Sequence, residues 1–184
     1  MRAFIALETN DEFRHECADL ARQLAATVDA RFVPRTNYHL TLAFLGEIAD
    51  AQARDAMDAM DEVFPADTLV TVPAPPLVPN GLGSFGKPSD ATLWLGFRRD
   101  PALMDCARDL RKALDARDLA YDAKAFLPHL TLARRAQIPR GPLPELVFPE
   151  PSHAAALTLY RSELSRDGAR YKELYRLPFG EVDA

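Results

Sequence analysis

The chain has 184 residues, of which 48% are apolar and 27% are charged, and its formal net charge is −5 at pH 7. This composition is that of an ordinary globular domain. The acidic balance argues against broad non-specific binding to long nucleic acid, which requires many neutralised phosphates, although a short or terminal piece could still bind locally. Two cysteines cannot form a disulfide framework, and no apolar run is long enough for a signal peptide or a membrane span. We therefore expect one reduced, cytoplasmic domain over residues 1–184, monomeric by default.

Residue spacing and turn signals predict the secondary structure. Asn10 can cap a helix whose apolar stripe runs from Phe13 to Leu24. Prolines and glycines indicate a loop over 73–88, and the prolines of 139–151 indicate a loop or an edge strand. Because strands and helices do not alternate regularly, an α+β fold is favoured over a doubly wound α/β fold. In chain order we predict a strand over 2–8, the helix capped by Asn10, a strand over 38–45, a helix over 50–64, strands over 68–72 and 91–97, a helix over 101–117, a strand that begins at 129, and strands over 154–164 and 170–177 joined by a turn at Asp167-Gly168.

One five-residue motif, His-Leu-Thr-Leu-Ala, occurs twice, beginning at His39 and again at His129. On a β-strand successive side chains point to opposite faces, so each histidine shares a face with the threonine two residues later, while the leucines face the core. Two such strands facing each other would surround one cleft with two imidazoles and two hydroxyls. We interpret the repeat as the trace of two related lobes.

These residue types suit acid–base chemistry on a phosphate without a metal ion or cofactor. An imidazole exchanges a proton near neutral pH. Two imidazoles on opposite walls can therefore activate a water and protonate a leaving oxygen during one in-line displacement at phosphorus. Thr41 and Thr131 would donate hydrogen bonds to the non-bridging phosphate oxygens. We expect the other two histidines, His15 and His153, to be solvated rather than functional.

Two arginines follow the second motif. A guanidinium beside a phosphate is favourable because its N–H donors fork onto two oxygens. Strict alternation places Arg135, not Arg134, on the face of His129, and only a bulge or a twist would bring Arg134 to that face.

The segment Gly81-Leu82-Gly83-Ser84-Phe85-Gly86-Lys87 resembles a dinucleotide-binding motif and a P-loop. Both of those sites need a helix directly after the glycines, so that its N-terminal amides meet the phosphate. Here Pro88 follows and the chain then enters a predicted strand, so we expect neither. The segment can still border the cleft, where Phe85 would either stack on a base or only pack against its neighbours.

Together these residues resemble the 2H phosphoesterase superfamily, which is defined by two His-x-Thr/Ser-x (HXTX) motifs. The likeness is greatest to its bacterial and archaeal RNA 2′,3′-cyclic phosphodiesterase branch, historically called 2′-5′ RNA ligase, and it covers nearly the whole chain. The resemblance implies a bilobal fold with two antiparallel sheets around a central cleft and helices on the outer faces. It is carried by residues 2–7, 32–34, 39–46, 129–134 and 162–174.

The resemblance also implies an activity, the metal-independent hydrolysis of a terminal RNA 2′,3′-cyclic phosphate to a 2′-phosphate. By motif position, His39 would protonate the departing 3′ oxygen, His129 would activate water, and Arg134 would bind the phosphate. Two alternatives stay open. One is an RNA-end or nucleotide-binding module without turnover. The other is an enzyme of the same type that acts on small cyclic nucleotides or 2′-5′-linked oligonucleotides, or that catalyses the reverse joining reaction.

Overall fold

The computed structural model describes residues 1–65, 73–165 and 168–180 of the chain. Within them it contains three α-helices and nine β-strands, and none of these helices is long and apolar enough to cross a membrane. The elements are β1 (Arg2–Thr9), α1 (Asp11–Ala25), β2 (Asp29–Phe32), a 3₁₀ turn (Arg35–Asn37), β3 (His39–Glu47), α2 (Asp50–Val63), β4 (Pro76–Leu77), β5 (Pro79–Lys87), β6 (Asp90–Phe97), α3 (Pro101–Asp115), β7 (His129–Gln137), β8 (Ser152–Ser165) and β9 (Gly168–Pro178).

The predicted α+β class is confirmed, and two helices begin where their capping residues indicate. The Asn10 side chain accepts a hydrogen bond from the backbone N–H of Phe13 at 2.8 Å, which satisfies an amide of the first turn of α1. Asp100 caps α3 in the same way, through the N–H of Ala102 at 2.9 Å. The strand predicted over 68–72 and Asp167 of the predicted turn lie outside the described residues.

The loop predicted over 73–88 is wrong, because β4 and β5 occupy most of that segment. β5 pairs antiparallel with β6 along its whole length. Gly83 serves packing rather than a turn: a Cβ added there would lie 2.1 Å from the ring of Trp94, so the indole crosses this strand only because Gly83 has no side chain. The segment 139–151 contains no strand and is a loop, one of the two predicted forms.

The strands form two antiparallel sheets. In the first sheet the order is β3-β1-β8, and β8 also pairs with β9 and, at its start, with β4. In the second sheet the order is β2-β7-β6-β5, which includes the short β2 that the sequence patterns did not reveal. One HXTX strand, β3, is therefore at the edge of its sheet, and the other, β7, lies inside its sheet.

The leucines of both motifs are fully buried in one hydrophobic cluster that also contains the apolar stripes of α1 and α3. Burying one leucine side chain contributes about 1.5–3 kcal/mol, so these residues fix which face of β3 and β7 points inward. The same unit is built twice. In β1-α1-β3 and in β6-α3-β7, a strand is followed by a helix and then by a motif strand that pairs antiparallel with the first strand.

Candidate active site

A cleft of about 230 Å³ between the two sheets contains all six residues that the sequence analysis selected. Residues of β3 and β9 contribute from the first sheet, and residues of β5, β6 and β7 contribute from the second. We call it the histidine cleft. Its lining residues are Val33, Asn37, His39, Thr41, Phe85, Thr92, His129, Thr131, Arg134 and Tyr171.

His39 is held by its neighbours on both ring nitrogens. Nδ1 lies 2.8 Å from the backbone oxygen of Asn37, and because a carbonyl only accepts, Nδ1 carries the proton of the neutral ring. Nε2 then accepts a hydrogen bond from the Thr41 hydroxyl at 3.1 Å. The ring stacks on Phe4 with centroids 4.8 Å apart, and it meets Tyr171 edge-on at 5.2 Å.

This enclosure sets the protonation state of His39. Burial lowers its pKa to about 4, and the positive charges of Arg134 and His129 act in the same direction, against the smaller opposing effect of the Asn37 carbonyl. In the free protein His39 is therefore neutral at pH 7.

His129 occupies the equivalent position in the second sheet. Its Nδ1 lies 2.7 Å from the backbone oxygen of Leu127, again two residues earlier in the chain, so the proton of the neutral ring is again on Nδ1. Phe85 is nearly perpendicular to the ring and Trp94 is tilted against it, with centroids 5.1 and 5.8 Å away. Burial, and then the charge of Arg134, lower the pKa of His129.

Arg134, not Arg135, lines the histidine cleft, which decides between the two arginines that the sequence left open. Alternation alone predicts the opposite, so that prediction is wrong. The strand is irregular at this point: Arg135 has a φ of +53°, in the left-handed region that non-glycine residues seldom adopt.

A β-bulge explains the change of face. Thr131 and Ala133 pair with consecutive residues of β6, so Leu132 is an extra residue on β7 and the following side chains change face. The first motif carries the same bulge at the same position, with Leu42 as the extra residue against β1. In that copy the residue equivalent to Arg134 is Phe44.

Phe85 borders the cleft, as the sequence allows, but from the edge strand β5 rather than from a loop. Its ring is 43% exposed and packs against Trp94 with centroids 5.3 Å apart. Trp94 and His129 thus support the ring, and its exposed part is free to contact a ligand.

Tyr171 is a cleft residue that the chemical reasoning did not select, although it belongs to the tail that carries the family resemblance. It comes from β9 in the first sheet. Burial raises its pKa, and the nearby charge of Arg134 from the second sheet opposes this shift, so the phenol lies close to the guanidinium. A tyrosine in a half-buried hairpin strand carries no local signal of such a position. His15 and His153 do not line the cleft.

The cleft therefore combines two imidazoles, two hydroxyls and one guanidinium around one space. The Nε2 atoms can exchange protons, and the hydroxyl and guanidinium N–H groups can donate to anionic oxygens. This donor set suits a singly charged phosphodiester. Among the residues that the structure describes, no group of three or more His, Cys, Asp or Glu side chains is arranged to hold a metal ion.

Comparison with known proteins gives consistent matches. The family model for LigT-like phosphoesterases matches residues 7–85. The RNA 2′,3′-cyclic phosphodiesterase of Thermotoga maritima is 29% identical over an alignment that covers 97% of this chain and 96% of that protein. The Escherichia coli protein of the same name is 28% identical, with 95% and 94% covered.

Solved structures agree in fold over the whole chain. The structure of E. coli LigT complexed with 3′-AMP superposes with a TM-score of 0.78 at 25% identity, covering 98% of each chain. A Thermus thermophilus protein superposes with a TM-score of 0.77 at 26% identity, covering 97% of this chain and 98% of that one.

Proposed function

Because this chain belongs to the family of LigT-like phosphoesterases, we propose that it hydrolyses the terminal 2′,3′-cyclic phosphate of RNA to a 2′-phosphate. The reaction uses two histidines as acid and base and needs no metal ion. The observation that carries this proposal is that both motif histidines line one cleft together with Arg134. The names of the relatives from T. maritima and E. coli supply the substrate class.

In the proposed reaction a water oxygen attacks phosphorus while His129 takes a proton from that water. The bond between phosphorus and the 3′ oxygen breaks on the opposite side, and His39 donates a proton to the departing oxygen. The products are a free 3′ hydroxyl and a 2′-phosphate. Thr41, Thr131 and Arg134 hold the non-bridging oxygens, where negative charge increases in the transition state.

These roles require that the proton lies on His39, the proposed acid, when the reaction begins. His39 is the more strongly shifted imidazole, so a single proton shared by the pair rests on His129 in the free protein. For His39 to act as the acid, the bound phosphate must raise its pKa, which a negative charge within a buried site does. Substrate binding therefore favours the protonated form of His39, which is the form that can donate a proton.

A substrate with sulfur in place of the 3′ oxygen tests the two roles separately. A thiolate leaves without being protonated, so this substrate should restore turnover to His39→Ala but not to His129→Ala. Rescue of His129→Ala alone would show that the two roles are reversed.

The proposed function itself is tested by product analysis. RNA that ends in a 2′,3′-cyclic phosphate is incubated with the protein in excess EDTA, and the terminal nucleotide is separated as its 2′- or 3′-phosphate. We expect the 2′-phosphate. Loss of turnover in EDTA would contradict the metal-free mechanism, and a 3′-phosphate would contradict the choice of leaving oxygen. Tight binding without any product, even in a single turnover, would favour the binding module.

We also propose that the protein acts as a cytoplasmic monomer with its two lobes in one unit. One chain supplies both imidazoles, both hydroxyls and the guanidinium of the proposed site, so the proposed chemistry needs no second copy. Cys17 and Cys106 are buried free thiols, as suits a reducing compartment. Light scattering coupled to gel filtration should give the mass of one chain.

A further inference from the structure

A second cavity of about 570 Å³ opens beside the histidine cleft. The two spaces share Thr41, Phe85 and His129 as lining residues, so the cavity continues directly from the catalytic groups. We call it the side pocket. The side chains that distinguish it from the cleft are Phe44, Arg111, Asp122, Lys124, Phe126 and Leu127.

Hydrogen bonds within the chain hold the wall of the side pocket in place. Arg111 on α3 donates from Nε to the backbone oxygen of Leu42 at 3.0 Å and from Nη1 to that of Lys124 at 2.8 Å. The N–H of Asp122 donates to the backbone oxygen of Phe44 at 2.9 Å. The segment 122–127 is thereby tied to β3, so a ligand would enter a preformed space and little binding energy would be lost in ordering it.

The chemistry of this wall is aromatic. The guanidinium of Arg111 lies 5.8 Å from the ring centroid of Phe126, which supports that ring from one side. Phe44 reaches the pocket because of the bulge at Leu42, as the equivalent bulge at Leu132 brings Arg134 into the cleft. The second copy of the motif therefore presents the guanidinium of Arg134 to the histidine cleft, and the first copy presents the phenyl ring of Phe44 to the side pocket.

We propose that the side pocket binds the nucleobase of the nucleotide whose phosphate occupies the histidine cleft. This inference rests on the proposed function. In a 2′,3′-cyclic phosphate the base is attached to the carbon next to C2′, so it must lie in a space adjoining the phosphate. The side pocket adjoins the cleft and is lined by aromatic rings. The exposed ends of Asp122 and Lys124 pair with each other at 3.1 Å on its wall, and their remaining acceptor and donor capacity can form hydrogen bonds with the edge of the base.

The test compares a substrate that has a base with one that has none. Adenosine 2′,3′-cyclic phosphate is set against ribose 2,3-cyclic phosphate carrying a 1-O-methyl group in place of the base. Phe126→Leu keeps an apolar side chain but removes the ring. It should lower kcat/KM for the adenosine substrate about tenfold more than for the baseless one, chiefly through KM. Phe44→Leu should do the same, and Phe148→Leu, outside both cavities, should leave both substrates unaffected.

A binding measurement separates this inference from the proposed function. Trp94, the single tryptophan of the chain, packs against Phe85 and reports ligands by its fluorescence. We expect 3′-AMP to bind more tightly than ribose 3-phosphate. Phe126→Leu should reduce the ratio of the two affinities about tenfold. If the protein hydrolyses neither cyclic substrate but keeps this preference, the proposed function fails and the side pocket stands. Equal affinities of the wild type for the two ligands, or a Phe126→Leu variant that affects both equally, would overturn the assignment of the pocket.

Discussion

The neutral state of His39 makes a quantitative prediction about stability. Its pKa is about 4 in the folded protein and 6.5 is the ordinary value, so below pH 6.5 the unfolded chain takes up a proton that the folded chain does not. The free energy of unfolding must therefore fall as the pH drops from 6.5 to about 4, and the loss is complete near the folded pKa. At about 1.4 kcal/mol per pKa unit, His39 accounts for about 3 kcal/mol of this loss.

The assay compares urea unfolding of the wild type and of His39→Gln from about pH 7.5 to about pH 4. Protonation of carboxylates such as Glu8 also destabilises the fold in acid, because hydrogen bonds outweigh the effect of burial and lower the pKa of Glu8. The wild type and the variant share these carboxylates, so their contribution cancels when the two unfolding free energies are subtracted. The wild type should lose about 3 kcal/mol more than His39→Gln over this range. Thr41→Val, which removes the hydroxyl beside Nε2 but keeps the imidazole, should follow the wild type. Parallel curves for the wild type and His39→Gln would refute the argument that His39 is buried as a neutral ring.

Three kinetic predictions follow from the same site. The pH dependence of kcat/KM reports the ionisation of groups in the free protein. Because the pKa values of both imidazoles are lowered, kcat/KM should be greatest below pH 6.5. A maximum above pH 7 would contradict these protonation states. His39→Ala and His129→Ala should each lower kcat by roughly 10² to 10⁴ while circular dichroism still reports the native fold, so a rate within tenfold of the wild type would exclude the role proposed for that histidine. Arg134→Ala should lower kcat/KM about 100-fold, and Arg135→Ala should lower it less than threefold; equal losses would contradict the geometry of the bulge.

The pairing of histidines and threonines was predictable because it depends on a local rule. The two-residue period of a strand and the burial of the flanking leucines together fix the faces of His39 and His129. The Asn10 cap of α1 followed from equally local chemistry. What the sequence could not show was that the two faces meet in one cleft, since that depends on how two sheets pack.

The errors have physical causes as well. The segment 73–88 has the composition of a loop, yet most of it is strand. β5 can pair with β6 because Gly83 leaves room for the ring of Trp94, and the sequence of the segment alone does not show that fit. Tyr171 pairs with Ser162 in the local hairpin of β8 and β9, and it reaches the cleft only because the first sheet packs against the second. Strict alternation placed Arg134 on the wrong face, although the family resemblance selected it, because a bulge depends on how two strands pair and the alternation rule considers only one strand.

The bulge also shows where the two halves of the molecule stop being equivalent. Up to that point both motif strands present a histidine and a threonine, and the Nδ1 atom of each histidine hydrogen-bonds with the carbonyl two residues earlier. The first residue to rejoin the cleft side after each bulge is Arg134 in one half and Phe44 in the other. A symmetric pair of arginines would bind a phosphate from both sides and would lower the pKa of both imidazoles further. With phenylalanine in the first half, one wall can hold an anion and the other an apolar ring, which is the asymmetry that a nucleotide itself possesses.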